Sequence, residues 1–313
     1  MDSVKKKFVP VMLTPFDTDL SIDDCALDAL VEFYLRAGAD GLFANCLSGE
    51  MFSITDEEKL KLVSKVVKRV DGRVPVVATG SFGISREDQV QFINKVHDAG
   101  AQAVILITSH LATSGESEKL FLDHFDCLER KTGKIPLGLY ECPAPYKRIV
   151  PKDSFSKLLA SDRLVYHKDT SINFESVFEK LEVLKNSGNT LLEFYDAHTP
   201  NASKSLQAGA RGLSAISGNF YPEILIWLCC NAMNPDQRSD ISWLQSELTR
   251  VDPLIHQAYP LSAKYFLRKR GLPLKLNSRS WNLDLTGGQL RILDQIHDDF
   301  LRWCERLKII PAI

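Results

Sequence analysis

The chain has 313 residues, 44% hydrophobic and 25% charged, a composition that can bury a substantial core and argues against a disordered chain. Thirty-eight basic residues against forty acidic ones leave a formal charge of -2, with no basic stripe of the kind that grips nucleic acid. No apolar stretch reaches bilayer length, so the expected partner is a small molecule, with no nucleic acid and no membrane.

The basic segment Met1–Lys7 lacks the apolar core of a secretory signal and leads straight into a strand expected over Phe8–Leu13. Further β-branched or apolar runs predict strands over Gly41–Asn45, Val74–Thr79, Ala103–Thr108, Pro136–Tyr140, Arg163–His167, Thr190–Tyr195 and Gly212–Ala215. Between them lie amphipathic segments such as Asp23–Ala37, Thr55–Val70, Ser85–Ala99 and Ser117–Lys131, each long enough for a crossover helix. Ala37-Gly38, Ala99-Gly100 and Ala208-Gly209 supply helix stops. Eight such units predict an α/β fold, a closed (β/α)8 TIM barrel, in preference to an open doubly wound sheet. The barrel is expected over residues 1–239. Residues 240–313 read as a helical extension packed on it within one structural unit, with helices over Ser242–Val251, Ser262–Arg270 and Gly288–Leu307.

Seven scattered cysteines, without a CxxC pair or a zinc-like Cys/His spacing, predict reduced thiols, a cytoplasmic setting and no metal site. Cys229 and Cys230 are expected as two core thiols.

In a barrel of this kind, reactive groups gather at the C-terminal ends of the strands. Lys168 stands there, directly after the apolar run Leu164–His167. Desolvation at such a place favours the neutral amine, which can condense with a ketone to an imine and use it as an electron sink for C–C cleavage or formation. The competing reading is a lysine that snorkels to water or pairs with Asp169. Tyr140, at the end of the fifth strand, can shuttle protons to and from the imine intermediates, or can simply wedge the rim. Ser48 and Gly49 offer a hydroxyl and approachable N–H groups for a carboxylate, or form a plain turn. Glu50 is read as an anchor for the following segment.

Thr14-Pro15-Phe16, Gly38-Ala39-Asp40-Gly41 leading to Ser48-Gly49-Glu50, Tyr140 with Pro143, Lys168-Asp169-Thr170-Ser171 and Lys264 through Gly271-Leu272-Pro273 resemble the dihydrodipicolinate synthase / N-acetylneuraminate lyase family over nearly the whole chain. The resemblance implies a pyruvate-type class I aldolase without cofactor or metal, a homo-oligomer, tetramer or dimer, acting on a 2-oxo acid and an aldehyde. It implies Lys168 as the Schiff-base lysine, Tyr140 as the proton-transfer residue, Ser48 and the N–H groups around Gly49 as carboxylate ligands, and backbone near Ala215 as the pyruvate-side wall.

The chain departs from the synthase pattern on the aldehyde side. Leu47 stands where the family's proton-relaying threonine is found, and cannot carry a proton. The Thr-Pro-Tyr-Tyr loop is replaced by Thr108-Ser109-His110-Leu111, where His110 either replaces the lost donor or is an exposed loop histidine. Pro145 occupies the place of the aldehyde-gripping arginine, with Lys147 and Arg148 nearby. In the loop Asp196–Asn201, Asp196, His198 and Thr199 either recognise a polyol or cap a helix starting near Pro200, the cap being preferred for Thr199. These departures favour a lyase cleaving a 2-keto-3-deoxy sugar acid to pyruvate and an aldehyde. The alternatives are 4-hydroxy-tetrahydrodipicolinate synthase, a sugar-acid dehydratase using the same imine, and a degenerate barrel that only binds a 2-oxo acid.

Overall fold

The computed structural model describes residues 5–312; Met1–Val4 of the basic N-terminal segment lie outside the described residues. Eight parallel strands, β1 Lys7–Phe8, β2 Leu42–Ala44, β3 Val76–Thr79, β4 Ala103–Ile107, β5 Leu137–Tyr140, β6 Leu164–Asp169, β7 Glu193–Asp196 and β8 Gly212–Leu213, pair in sequence order, with β1 beside β8. The ring closes through a parallel bridge between Val11 and Phe43, where Met12 N–H donates to the Phe43 carbonyl and Phe43 N–H to the Pro10 carbonyl, each at 3.0 Å. The sequence expectation of a barrel is met. Its first strand is shorter than Phe8–Leu13, because Pro10 has no N–H to donate to a ladder.

The barrel encloses one apolar cluster, which includes Val77, Ile105, Ile107, Tyr166 and Tyr195, while a larger one fills the space between the strands and the helices. Gly138 makes the inner layer possible. A Cβ there would come within 2.4 Å of Ile105 Cδ1 and 2.9 Å of Tyr166 Cβ, so the small residue leaves room for the large ring beside it.

Local chemistry sets the helix ends. Thr55 with Glu58 and Ser85 with Asp88 form capping boxes, and Asp23 and Ser117 cap the helices that follow them. Gly38 (φ 97°) and Gly209 (φ 118°) take the left-handed conformation at the stops read from Ala-Gly. Three C-terminal helices, Arg238–Ile255, Leu261–Lys269 and Gly287–Leu307, follow the barrel. They are tied to it by the buried Arg270–Glu223 ion pair and by Trp303, which meets Tyr221 edge-on at 5.4 Å. Among the described residues no helix is long and apolar enough to cross a membrane. All seven cysteines are free thiols; Cys229 is buried, but Cys230 is exposed rather than in the core, because one step along the helix Pro222–Asn231 turns the side chain by about 100°, off its buried face.

Candidate active site

Side chains alternate along β5 and β6, so neighbours in sequence face opposite sides of the wall. Tyr140 and Lys168 are register partners, and both belong to the barrel interior. Lys168 is only 3% exposed, and its Nζ lies 4.5 Å from the centre of the Tyr140 ring and 5.6 Å from that of Phe43. Burial, with no carboxylate among its influences, lowers its pKa to about 8. Tyr140 is forced the other way: burial lifts its phenol well above the ordinary range, so it remains a proton donor.

Glu141 and Asp169, the next residues on each strand, point outward to the helix Phe174–Ser187. There the Lys180 ammonium donates to Glu141 Oε1 at 2.5 Å and to Asp169 Oδ2 at 2.6 Å, and all three groups are buried. Burial opposes ionisation of Glu141, but Lys180 and His167 bring its pKa down to about 2. The pairing that the sequence left open between Lys168 and Asp169 is therefore taken by Lys180. Glu141, His167 and Asp169 lie close enough to share a cation, and the ammonium of Lys180 already serves both carboxylates.

A cavity of about 380 Å³ opens above Lys168 and Tyr140, and Leu47, Ser48, Lys147, His198, Ser214 and Ile216 also line it. A larger hollow of about 620 Å³ lies on the outer helices, around Glu118 and Lys157, away from this chemistry. Leu47–Gly49 form a 3-10 turn with Ser48 buried. The Gly49 N–H donates to the Cys46 carbonyl at 3.0 Å, so the turn itself uses a group that the sequence reading offered to a carboxylate. Gly49 is packed too tightly for another residue: a Cβ would sit 3.0 Å from Thr14 Oγ1 and 3.1 Å from the Met12 carbonyl oxygen. Ala215 is buried between Ser214 and Ile216, the two residues of that stretch that reach the cavity.

Three expectations need correction. His110 does not line this cavity; its Nδ1 bonds the Ser81 carbonyl oxygen at 2.7 Å and its ring sits edge-on to Phe52 and Phe82. Thr199 is no cap: its hydroxyl bonds that of Ser217 at 2.8 Å, while no side chain caps the helix Ala202–Ala208. Asp196 is wholly buried, accepting from the His198 N–H at 2.8 Å and from the Ser205 hydroxyl, and burial raises its pKa to about 7. Of that loop, Ala197 and His198 line the cavity. The two cations near Pro145 also separate. Lys147 reaches the cavity, whereas Arg148 is held by the Thr113 and Glu116 carbonyls and by Glu118.

Sequence reasoning missed a whole wall. Asp252, on the last turn of the helix Arg238–Ile255, and His256, Tyr259 and Pro260, from the connection that follows it, line the cavity, as does Ser280. Glu50 places Ser280. Its carboxylate accepts from Lys264 at 2.9 Å and from the N–H groups of Arg279 and Ser280 at 2.7 and 2.8 Å. No periodicity or motif points across that distance; the one available signal was the buried-type pair Glu50 and Lys264, both inside motifs already noted.

Residues 5–287 match the model of the dihydrodipicolinate synthetase family. A 4-hydroxy-tetrahydrodipicolinate synthase of Thioalkalivibrio sulfidiphilus is 27% identical over 266 residues, covering 83% of this chain and 86% of that protein. One of Oceanobacillus iheyensis is 26% identical over 302 residues, 94% and 97% of the two chains. Among solved structures, a dihydrodipicolinate synthase of Bacillus anthracis superposes with a TM-score of 0.80 at 23% identity, covering 95% of this chain and 99% of the other. These names side with the synthase, which the sequence analysis set second, over the sugar-acid lyase that it set first.

Proposed function

The chain belongs to the dihydrodipicolinate synthetase family, and on that premise we propose that Lys168 forms the Schiff base with pyruvate and that the resulting enamine condenses with an aldehyde, in the manner of 4-hydroxy-tetrahydrodipicolinate synthase. The observation that carries this reading is the unpaired, buried amine of Lys168 with its pKa lowered to about 8, set against the Tyr140 ring inside a closed barrel. About a tenth of such an amine is neutral at pH 7, far more than of an ordinary lysine. The neutral amine attacks the ketone carbon. Tyr140 gives the proton that lets water leave the carbinolamine, and takes one from the methyl carbon to form the enamine. Ser48 holds the carboxylate, and Ser214 and Ile216 wall the methyl side. Lys147 is the cation available to the aldehyde's own carboxylate where the family's arginine is replaced by Pro145.

Cleavage of a 2-keto-3-deoxy sugar acid remains a second reading because His198, Asp252 and His256 line the same cavity, a set suited to hydroxyl groups. Reduced thiols and the family's chemistry support a cytoplasmic setting, and the family resemblance supports a homo-oligomer, which sedimentation velocity checks.

Borohydride reduction in the presence of pyruvate should leave a mass adduct on the peptide bearing Lys168; no adduct there would overturn the chemistry. An assay with pyruvate and aspartate semialdehyde should then give turnover. Inactivity with that aldehyde, together with release of pyruvate from a 2-keto-3-deoxy sugar acid, would select the lyase.

A further inference from the structure

Tyr259 reaches the cavity from the C-terminal helices, and the polar groups behind it have only one consistent arrangement of protons. Asn219 is fully buried, and its Nδ2 faces the Val11 carbonyl oxygen at 2.8 Å. A carbonyl oxygen only accepts, so the amide orientation is fixed, and Asn219 Oδ1 must accept from the buried Tyr34 hydroxyl. The second Nδ2 proton goes to the Tyr259 oxygen at 2.6 Å. Tyr259 is left with its own proton free to donate, and Ser48 stands with it in the wall of the same cavity. Burial holds the Tyr259 phenol far above its ordinary pKa, so the proton stays in place at any working pH.

We propose that Tyr34, Asn219, Tyr259 and Ser48 form a one-way donor relay that turns the Ser48 hydroxyl toward the carboxylate of the 2-oxo acid, making Tyr259 a positioning residue for that substrate. The inference rests on the pyruvate reading above. Each donor in the row polarises the next, so a carboxylate can be held by a neutral hydroxyl with no cation beside it. Asn219 and Tyr34 have no part in the imine chemistry, and their role is to set the direction.

The test is the pyruvate concentration giving half-maximal borohydride trapping, read beside that for methyl pyruvate, which has the ketone but no carboxylate. Tyr259→Phe removes one oxygen at constant shape. It should raise the pyruvate value by up to about tenfold, the effect of losing one hydrogen bond between neutral groups, and leave that for methyl pyruvate and the limiting trapping rate unchanged. Ser48→Ala should show the same selectivity, and the double variant should be no worse than Ser48→Ala alone, because the phenol acts through the serine. Equal weakening of both ketones, or additive effects in the double variant, would overturn the relay. Trapping that Tyr259→Phe leaves unaltered would overturn it while sparing the pyruvate reading. Failure of the unaltered protein to trap pyruvate would overturn both.

Discussion

Two buried lysines stand back to back across the wall formed by β5 and β6, and their surroundings differ in one respect. Lys180, outside the barrel, is met by two carboxylates; Lys168, inside, is met by aromatic rings. Burial penalises both ammonium groups. The carboxylates reverse the outcome for Lys180 and raise its pKa, while Lys168 drops to about 8. The same residue type is thus a fixed cation on one side of a strand pair and, on the other, an amine poised for the nucleophilic role proposed above. The alternation of strand side chains keeps Glu141 and Asp169 from reaching through to pair with the Lys168 amine.

The largest way to break this contrast is to remove the inner amine. Lys168→Ala is expected to abolish both turnover and borohydride trapping, as measured in steady state and by mass spectrometry. Tyr140→Phe keeps the ring but loses the phenolic proton, and should lower kcat by about 100-fold. On the outer side, Lys180→Met strands two buried carboxylates and should reduce unfolding free energy by about 3–5 kcal/mol in urea titrations. The inner counterpart reverses the sign: Lys168→Met removes a buried charge and should stabilise the fold at pH 7 by about 3 kcal/mol. That gain has a defined window. The folded-state pKa of Lys168 lies below its unfolded value of 10.5, so the penalty is complete below pH 8 and fades between about 8 and 10.5. The smallest effect is the pH dependence of trapping, which should rise roughly tenfold from pH 7 to a plateau above about 9, following the neutral amine.

The barrel was readable because most of its strands are apolar runs and three of its helices stop at Ala-Gly pairs, both local signals. Lys168, Tyr140 and Ser48 were readable for the same reason, since a strand end fixes where a side chain emerges. Lys180 was not singled out, although period-two alternation carries the hint: Tyr140-Glu141 and Lys168-Asp169 on neighbouring strands must send two acids outward at one level, and these require a cation from the next helix. Tyr259 had no such signal. It sits in Ala258-Tyr259-Pro260-Leu261, an apolar connection that becomes a cavity wall only through the packing of distant helices. His110 misled because it stands in the loop that replaces the family's Thr-Pro-Tyr-Tyr, where it could substitute for the lost donor, but its ring is held against Phe52 and Phe82.

The clasp of Glu50 on Lys264 and on residues 278–280 has a consequence for how the protein comes into being. During translation Lys168 on β6 leaves the ribosome long before the segments that wall its cavity, and an unwalled amine stays hydrated and protonated. On the chemistry proposed above, catalytic power is therefore withheld from the nascent chain until its last quarter arrives and Glu50 fastens it across the mouth.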